Sequence, residues 1–159
     1  MSLLCFICFL ALSAPAPALA QTGESPDLLN PAEQRALQSA STLDQRLKVY
    51  LNAGHERIQT AAKAREHASP EAFASLFEQY QGLLRICQEQ MDRNPPLKAR
   101  QAKNLEIMLR KQIQHLNDLA ARAELADQNP IRQSIDSAQR LRSRLLKIFF
   151  GTGALPEKE

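Results

Sequence analysis

This 159-residue chain contains no tryptophan and few aromatics of any kind (5%), and glycine occurs only five times. No stretch alternates apolar and polar residues as a half-buried strand does, so a sheet is excluded. Cysteine occurs three times, and Cys5 and Cys8 lie together near the start. With that segment removed, Cys87 stands alone. An internal disulfide is then impossible and the fold has to rest on packing.

Charge is also missing where the chain begins: the first twenty residues include no Asp, Glu, Lys, Arg or His. An apolar run from Leu3 to Leu12 leads into a segment with Pro15 and Pro17 and with small Ala18 and Ala20. These are the hydrophobic and cleavage regions of a secretory signal peptide. Positive charge ahead of the run comes from the terminal amine alone. The run is about ten residues long against the roughly 20 that span a bilayer, which argues against a membrane anchor. Cys5 and Cys8 lie too near the start for a lipoprotein signal, and their Cys-x-x-Cys spacing falls in the part that cleavage discards. The expectation is an exported protein, periplasmic or extracellular, cleaved after Ala20. Residues 21–30 form a flexible leader, 31–150 one helical domain and 151–159 a flexible tail. The Ala-Pro-rich cleavage region points to a bacterial envelope.

What is abundant is helix-forming: Ala, Leu, Gln, Glu, Arg and Lys dominate the remaining chain. Asn30-Pro31, Ser69-Pro70, Asn94-Pro95 and Asn129-Pro130 each place a side-chain acceptor before a proline, the pattern of an N-cap and a first helical residue. They predict helices from 31, 70–93, 95–126 and 130–150. The first is long enough to require a break at Ser39–Thr42, where Ser41 and Asp44 resemble a capping box. Apolar stripes run through Leu43, Leu47, Tyr50, Gly54, Ile58 and Ala61, then Phe73 to Met91 as a heptad seam. Leu105, Leu109, Ile113, Leu116, Leu119 and Ala123 follow, and last Ile131 to Phe149. Short connections make successive helices antiparallel. The predicted fold is all-α: an up-down bundle of about four helices with a short extra N-terminal helix as an arm.

Catalytic chemistry finds no foothold. His55-Glu56 lacks the second histidine of a zinc-protease motif, since Gln59 stands there. No Glu-x-x-His pair supplies a di-iron site, and no Cys-x-x-Cys-His a covalent haem. His55, His67 and His115 read as surface residues. Cys87 sits on the heptad seam, where a thiol packs as a small hydrophobe. No phosphate-binding glycine loop is present. The expectation is a protein that is not an enzyme and carries neither cofactor nor metal.

Charge is divided unevenly. Residues 21–93 hold eight Lys/Arg and ten Asp/Glu; residues 94–159 hold twelve and seven. The last helix concentrates the excess in Arg132, Arg140, Arg142, Arg144 and Lys147, followed by Phe150, and these are the candidate membrane or partner surface. A basic amphipathic helix can lie on an anionic bilayer. The favoured reading is the solvated face of a bundle helix, because three other apolar stripes need a partner. Export and the lack of interleaved aromatics argue against nucleic acid.

Leu29-Asn30-Pro31-Ala32-Glu33-Gln34-Arg35 resembles the Leu-Thr-x-x-Gln motif of the small periplasmic helical chaperones of the Spy and CpxP type. Asn replaces Thr and the Gln is differently spaced; the likeness covers seven residues, and Ser69-Pro70-Glu71 is the nearest start to a second copy. The resemblance implies a cradle-shaped dimer that holds unfolded clients. The leading expectation is an exported non-enzymatic bundle that binds another protein or serves a structural role in the envelope. Membrane-surface and chaperone-like roles are the alternatives, and a homo-oligomer is left open.

Overall fold

Two of the four proline-led starts do what their sequence predicts. In the computed structural model, which describes residues 28–64 and 69–151, α1 spans Pro31–Ser39. Asn30 Oδ1 accepts from the Ala32 and Glu33 amides at 2.9 Å, and Glu33 returns a carboxylate oxygen to the Asn30 amide at 2.7 Å. This is a complete capping box. Helix α3 spans Pro70–Arg93, with Ser69 Oγ accepting from the Ala72 amide at 3.2 Å. Glu71 follows in the first turn, where its own backbone amide and the Ser69 hydroxyl hold its carboxyl below the usual range. The expected signal peptide lies outside the described residues.

The other two starts do not. Asn94 ends α3 instead of opening the next helix, its side-chain Nδ2 donating to the Gln90 carbonyl at 2.7 Å. Pro96 follows Pro95 directly, and a residue before proline is pushed out of the helical region. Helix α4 therefore begins at Ala99 and ends at Arg122, short of the expected 95–126 at both ends. A 3₁₀ turn at Leu125–Asp127 leads into α5, Gln128–Phe150. Pro130 is the third residue of that helix, within the first turn, where a backbone N–H has no intrahelical acceptor to lose.

The break before α2 (Leu43–Ala64) falls where expected, but its cap is shifted by one residue. Thr42 Oγ1 accepts from the Gln45 amide at 3.3 Å, and Gln45 Oε1 accepts from the Ser41 and Thr42 amides at 3.0 and 3.2 Å. Asp44, the expected capping acid, is instead buried and paired with Lys48 at 2.7 Å.

The four long helices form the predicted all-α bundle, with successive helices antiparallel. Their order around the bundle is α2, α3, α5, α4. Contacts advance together along α2 and α4 (Leu51 with Gln112, His55 with His115) and along α3 and α5 (Gln81 with Ser134, Asp92 with Arg144), so each of these pairs is parallel. Helices α3 and α4 stand at opposite corners, so the 94–98 linker crosses the diagonal. The stripes meet in one core in which Tyr50, Phe77, Leu83, Leu84, Leu105 and Leu141 are almost fully buried. Cys87 is buried among them, and burial pushes its thiol pKa up. On α4 the stripe differs from expectation. Ile113 and Ala123 are half-buried, while Gln112 takes a core position at 2% exposure. Tyr80 Oη donates to Gln112 Oε1 at 3.0 Å, and Gln112 Nε2 donates to the Leu51 carbonyl at 2.7 Å, which ties α3, α4 and α2 together at mid-bundle. Gly54 makes room for that chain: a Cβ there would lie 2.9 Å from the Tyr80 ring.

Helix α1 is a strap and not a projecting arm. Leu28, Leu29 and Leu37 pack against the core. Arg57 of α2 grips Glu33 through both carboxylate oxygens, at 3.0 and 2.8 Å. The same guanidinium donates to the Leu28 carbonyl at 2.9 Å and to Gln79 Oε1 of α3 at 3.0 Å. Gly82 forms the notch that receives Leu28.

Candidate functional site

The apolar stripe of α5 faces inward: Ile131, Ile135, Ala138, Leu141 and Leu145 are buried. That geometry disperses the six candidate surface residues. Arg132 lies in the helix's second turn and bonds Gln128 Oε1 at 2.8 Å. Arg140, near mid-helix, bonds Ser137 Oγ at 2.9 Å. Arg142 reaches across to α4, its Nε 2.7 Å from Glu106 Oε1. Glu106 is 6% exposed, so this ion pair is part of the α4–α5 seam. Arg144 turns to the opposite flank and pairs with Asp92 of α3, holding that carboxyl below the usual carboxylate range. Two of the five cations thus fasten α5 to its neighbours. They are not the open basic face the sequence suggested.

Arg132 and Arg140 stay exposed along α5, Leu125 of the 3₁₀ turn is 85% exposed, and an exposed aromatic stands at the C-terminal end of α5. Phe150 is 53% exposed and contacts the half-buried Phe149, with ring centroids 4.5 Å apart. Lys103, from the start of α4, sets its Nζ 5.6 Å from the Phe149 ring centre, within reach of a cation–π attraction. Lys147 projects one turn before Phe150 and makes no hydrogen bond or ion pair among the described residues. Beside this patch, Leu43, Met91, Leu97 and Ile148 line a cavity of about 290 Å³ whose rim carries Arg144. Gly151, with φ +80°, ends the helix. The end of the bundle therefore offers an exposed aromatic ring, a second ring behind it and two ammonium groups.

The histidines did not stay as separate as their spacing suggested. His55 and His115 stack across the α2–α4 seam, with ring centroids 5.4 Å apart, and Gln59 Nε2 lies 2.9 Å from His55 Nε2. They stand near a cleft of about 650 Å³ floored by Ile58 and Leu119. Among the described residues no group of three His, Cys, Asp or Glu is placed to hold a metal. His67 lies outside the described residues.

Sequence reasoning missed Lys103 beside the aromatic end of α5, and Glu106 and Asp92 as the partners of Arg142 and Arg144. Glu106 carried a faint signal: it falls one position after Leu105 and three before Leu109, on the edge of the apolar stripe. Asp92 and Lys103 carried none.

No family model, curated protein or solved structure matches the chain. The residues that resemble the chaperone motif have local work here. Asn30 and Glu33 form the α1 capping box, and Gln34 Nε2 donates to the Leu29 carbonyl at 3.0 Å. No helix among the described residues is long and apolar enough to cross a membrane.

Proposed function

We propose that this protein is an exported, non-enzymatic helical bundle that binds another protein through the C-terminal end of α5. The observation that carries this reading is the half-exposed Phe150 ring, backed by Phe149 and flanked by Lys147 and Lys103. Aromatic residues, phenylalanine among them, are enriched at the core of protein interfaces, and the flanking ammonium groups complement an acidic rim on the partner. Folding of the bundle does not require Phe150 to be where it is, whereas a partner with an apolar pocket and an acidic rim would bury it.

The test is a pull-down of the mature protein from envelope extract. Phe150→Ala and Lys147→Glu should release a specific partner that wild type and Arg132→Gln both retain. Equal retention by all four proteins removes α5's end as the contact. N-terminal sequencing of the exported product should find Gln21 first; an intact Met1 would overturn cleavage.

A second reading draws on the same residues: Phe150, Lys147 and Lys103 could rest on an anionic membrane. The inward stripe limits such contact to the last turn of α5, a small apolar area. Flotation with anionic vesicles at low salt decides it, and absence of binding there removes the membrane reading. The chaperone-like alternative requires that sub-stoichiometric to equimolar protein suppress aggregation of a denatured client.

A further inference from the structure

We propose that the groove between α2 and α3 in which α1 lies is also an intermolecular docking site, and that its second occupant is the α1 strap of another copy of this chain. This inference does not depend on the reading of α5.

The strap, residues 28–39, is attached from outside. None of the nine residues of α1 is buried, and the core closes with residues of α2 to α5 and the 94–98 linker. Elements held by few apolar contacts open at low free energy, while the rest of a fold stays intact. Its receptor is nevertheless specific. Arg57 is oriented by Gln79, its fork matches the Glu33 carboxylate, and the Gly82 notch fits Leu28. A matched bidentate pair has a geometric requirement that few other sequences would meet, and a second copy meets it by identity.

The corner between α1 and α2 permits the exchange. Residues 40–42 are Ala, Ser and Thr, with neither glycine nor proline, and no non-glycine residue there has positive φ. The turn carries capping bonds, Gln45 with Ser41 and Thr42 and the Ala40 amide with the Leu37 carbonyl, and is flanked by Leu37 and Leu43, which pack against the core. No glycine, proline or positive φ at residues 40–42 stands against residues 31–64 running as one helix of ~51 Å. In that form Glu33 and Arg57, 24 residues apart in sequence, would be ~36 Å apart along the axis. A straightened chain therefore cannot close its own clamp. Another copy's Glu33 can.

Charge exchange tests this directly. Glu33→Arg and Arg57→Glu each set like charges against one another within a chain. In a mixed pair that trades straps, the arginine introduced at position 33 of one chain would meet the glutamate introduced at position 57 of the other. The remaining clamp would pair the native Glu33 with the native Arg57, so both clamps are restored. Sedimentation of each variant alone should show monomer, with helical circular dichroism confirming the fold. The equimolar mixture should show a mixed dimer at a concentration at least tenfold below that at which wild type dimerises. A second variant, Thr42→Ala with Gln45→Ala, removes the corner caps and should raise the dimer fraction of the otherwise native chain. If the mixture stays monomeric up to about 1 mM, the upper range of the effective concentration that favours the closed chain, exchange does not occur. The same conclusion follows if the corner variant fails to dimerise there.

Discussion

The hydrogen-bond chain at mid-bundle makes a prediction whose sign depends on counting partners. Tyr80 is fully buried, Gln112 is 2% exposed, and the hydroxyl–amide bond between them is 3.0 Å long. Tyr80→Phe keeps the ring against Gly54 but leaves Gln112 Oε1 buried without a donor. An unsatisfied buried acceptor costs about 1–3 kcal/mol. Gln112→Leu orphans the Tyr80 hydroxyl at a similar cost of about 1–3 kcal/mol; the Leu51 carbonyl keeps its helical bond. The double variant removes both polar groups, and such paired removal is close to neutral. It should therefore be more stable than either single variant, and the coupling should approach the sum of the two single costs, about 2–6 kcal/mol in its favour. On a domain of this size each kcal/mol moves Tm by roughly 3–5 °C. Urea unfolding followed by circular dichroism, with an unchanged m value, measures all four corners. Single-variant costs that simply add, within about 0.5 kcal/mol, would refute the shared bond.

Three further outcomes follow from the packing. Leu83→Asp or Leu84→Asp places an unpaired carboxylate in the core and should cost several kcal/mol, a large share of a ~5–15 kcal/mol stability; a native-like cooperative melt would show that the leucine is not core. Arg142→Gln leaves Glu106 buried with only Arg110 near, at 4.0 Å, and should destabilise by about 1–3 kcal/mol, discounted because Arg142 itself is part-exposed; an unchanged urea midpoint would show the pair to be incidental. Burial raises the pKa of both Cys87 and Tyr80, so the folded state keeps protons that the unfolded chain releases above about pH 8.5 and 10. Their contribution is complete below those values and should fall by up to ~1.4 kcal/mol per pH unit per group above them; Cys87→Ala should flatten the decline between pH 9 and 10, and an unaltered slope would contradict the assignment.

Fold class was legible because apolar periodicity and helix capping are local. The α3 bounds and the Asn30 and Ser69 caps could be read within a few residues of themselves. Local reading failed where two signals compete over the same residues. Asn94-Pro95 looks like a helix start until Pro96 is given its effect on Pro95. Ser41 and Thr42 are both competent caps, and the choice turned on Gln45 lying three residues after the second. Gln112 was harder still, because a glutamine enters a core only when its partners, Tyr80 and the Leu51 carbonyl, arrive from other helices. The α1 clamp was similarly out of view: Glu33 and Arg57 are separated by a corner whose direction the sequence does not encode.

The basic last helix shows why a charge count is not yet a surface. The excess positive charge of residues 94–159 suggests a solvated basic face on α5, yet Arg144 answers Asp92 from the more acidic half, and Arg142 answers Glu106 of the neighbouring helix. Part of the asymmetry is thus pairing between helices far apart in sequence. This limits which charges a vesicle-flotation test can remove without disturbing the bundle. Neutralising Arg140, Arg142 and Arg144 together would loosen the α3–α5 and α4–α5 seams, so lost vesicle binding could reflect a loosened bundle. Arg140→Gln with Lys147→Gln removes charge without touching either interhelical pair. Loss of flotation in that variant, with the melt unchanged, identifies electrostatic membrane attachment; retained flotation assigns it to Phe150; and no flotation by the wild-type protein leaves the aromatic end of α5 to a protein partner.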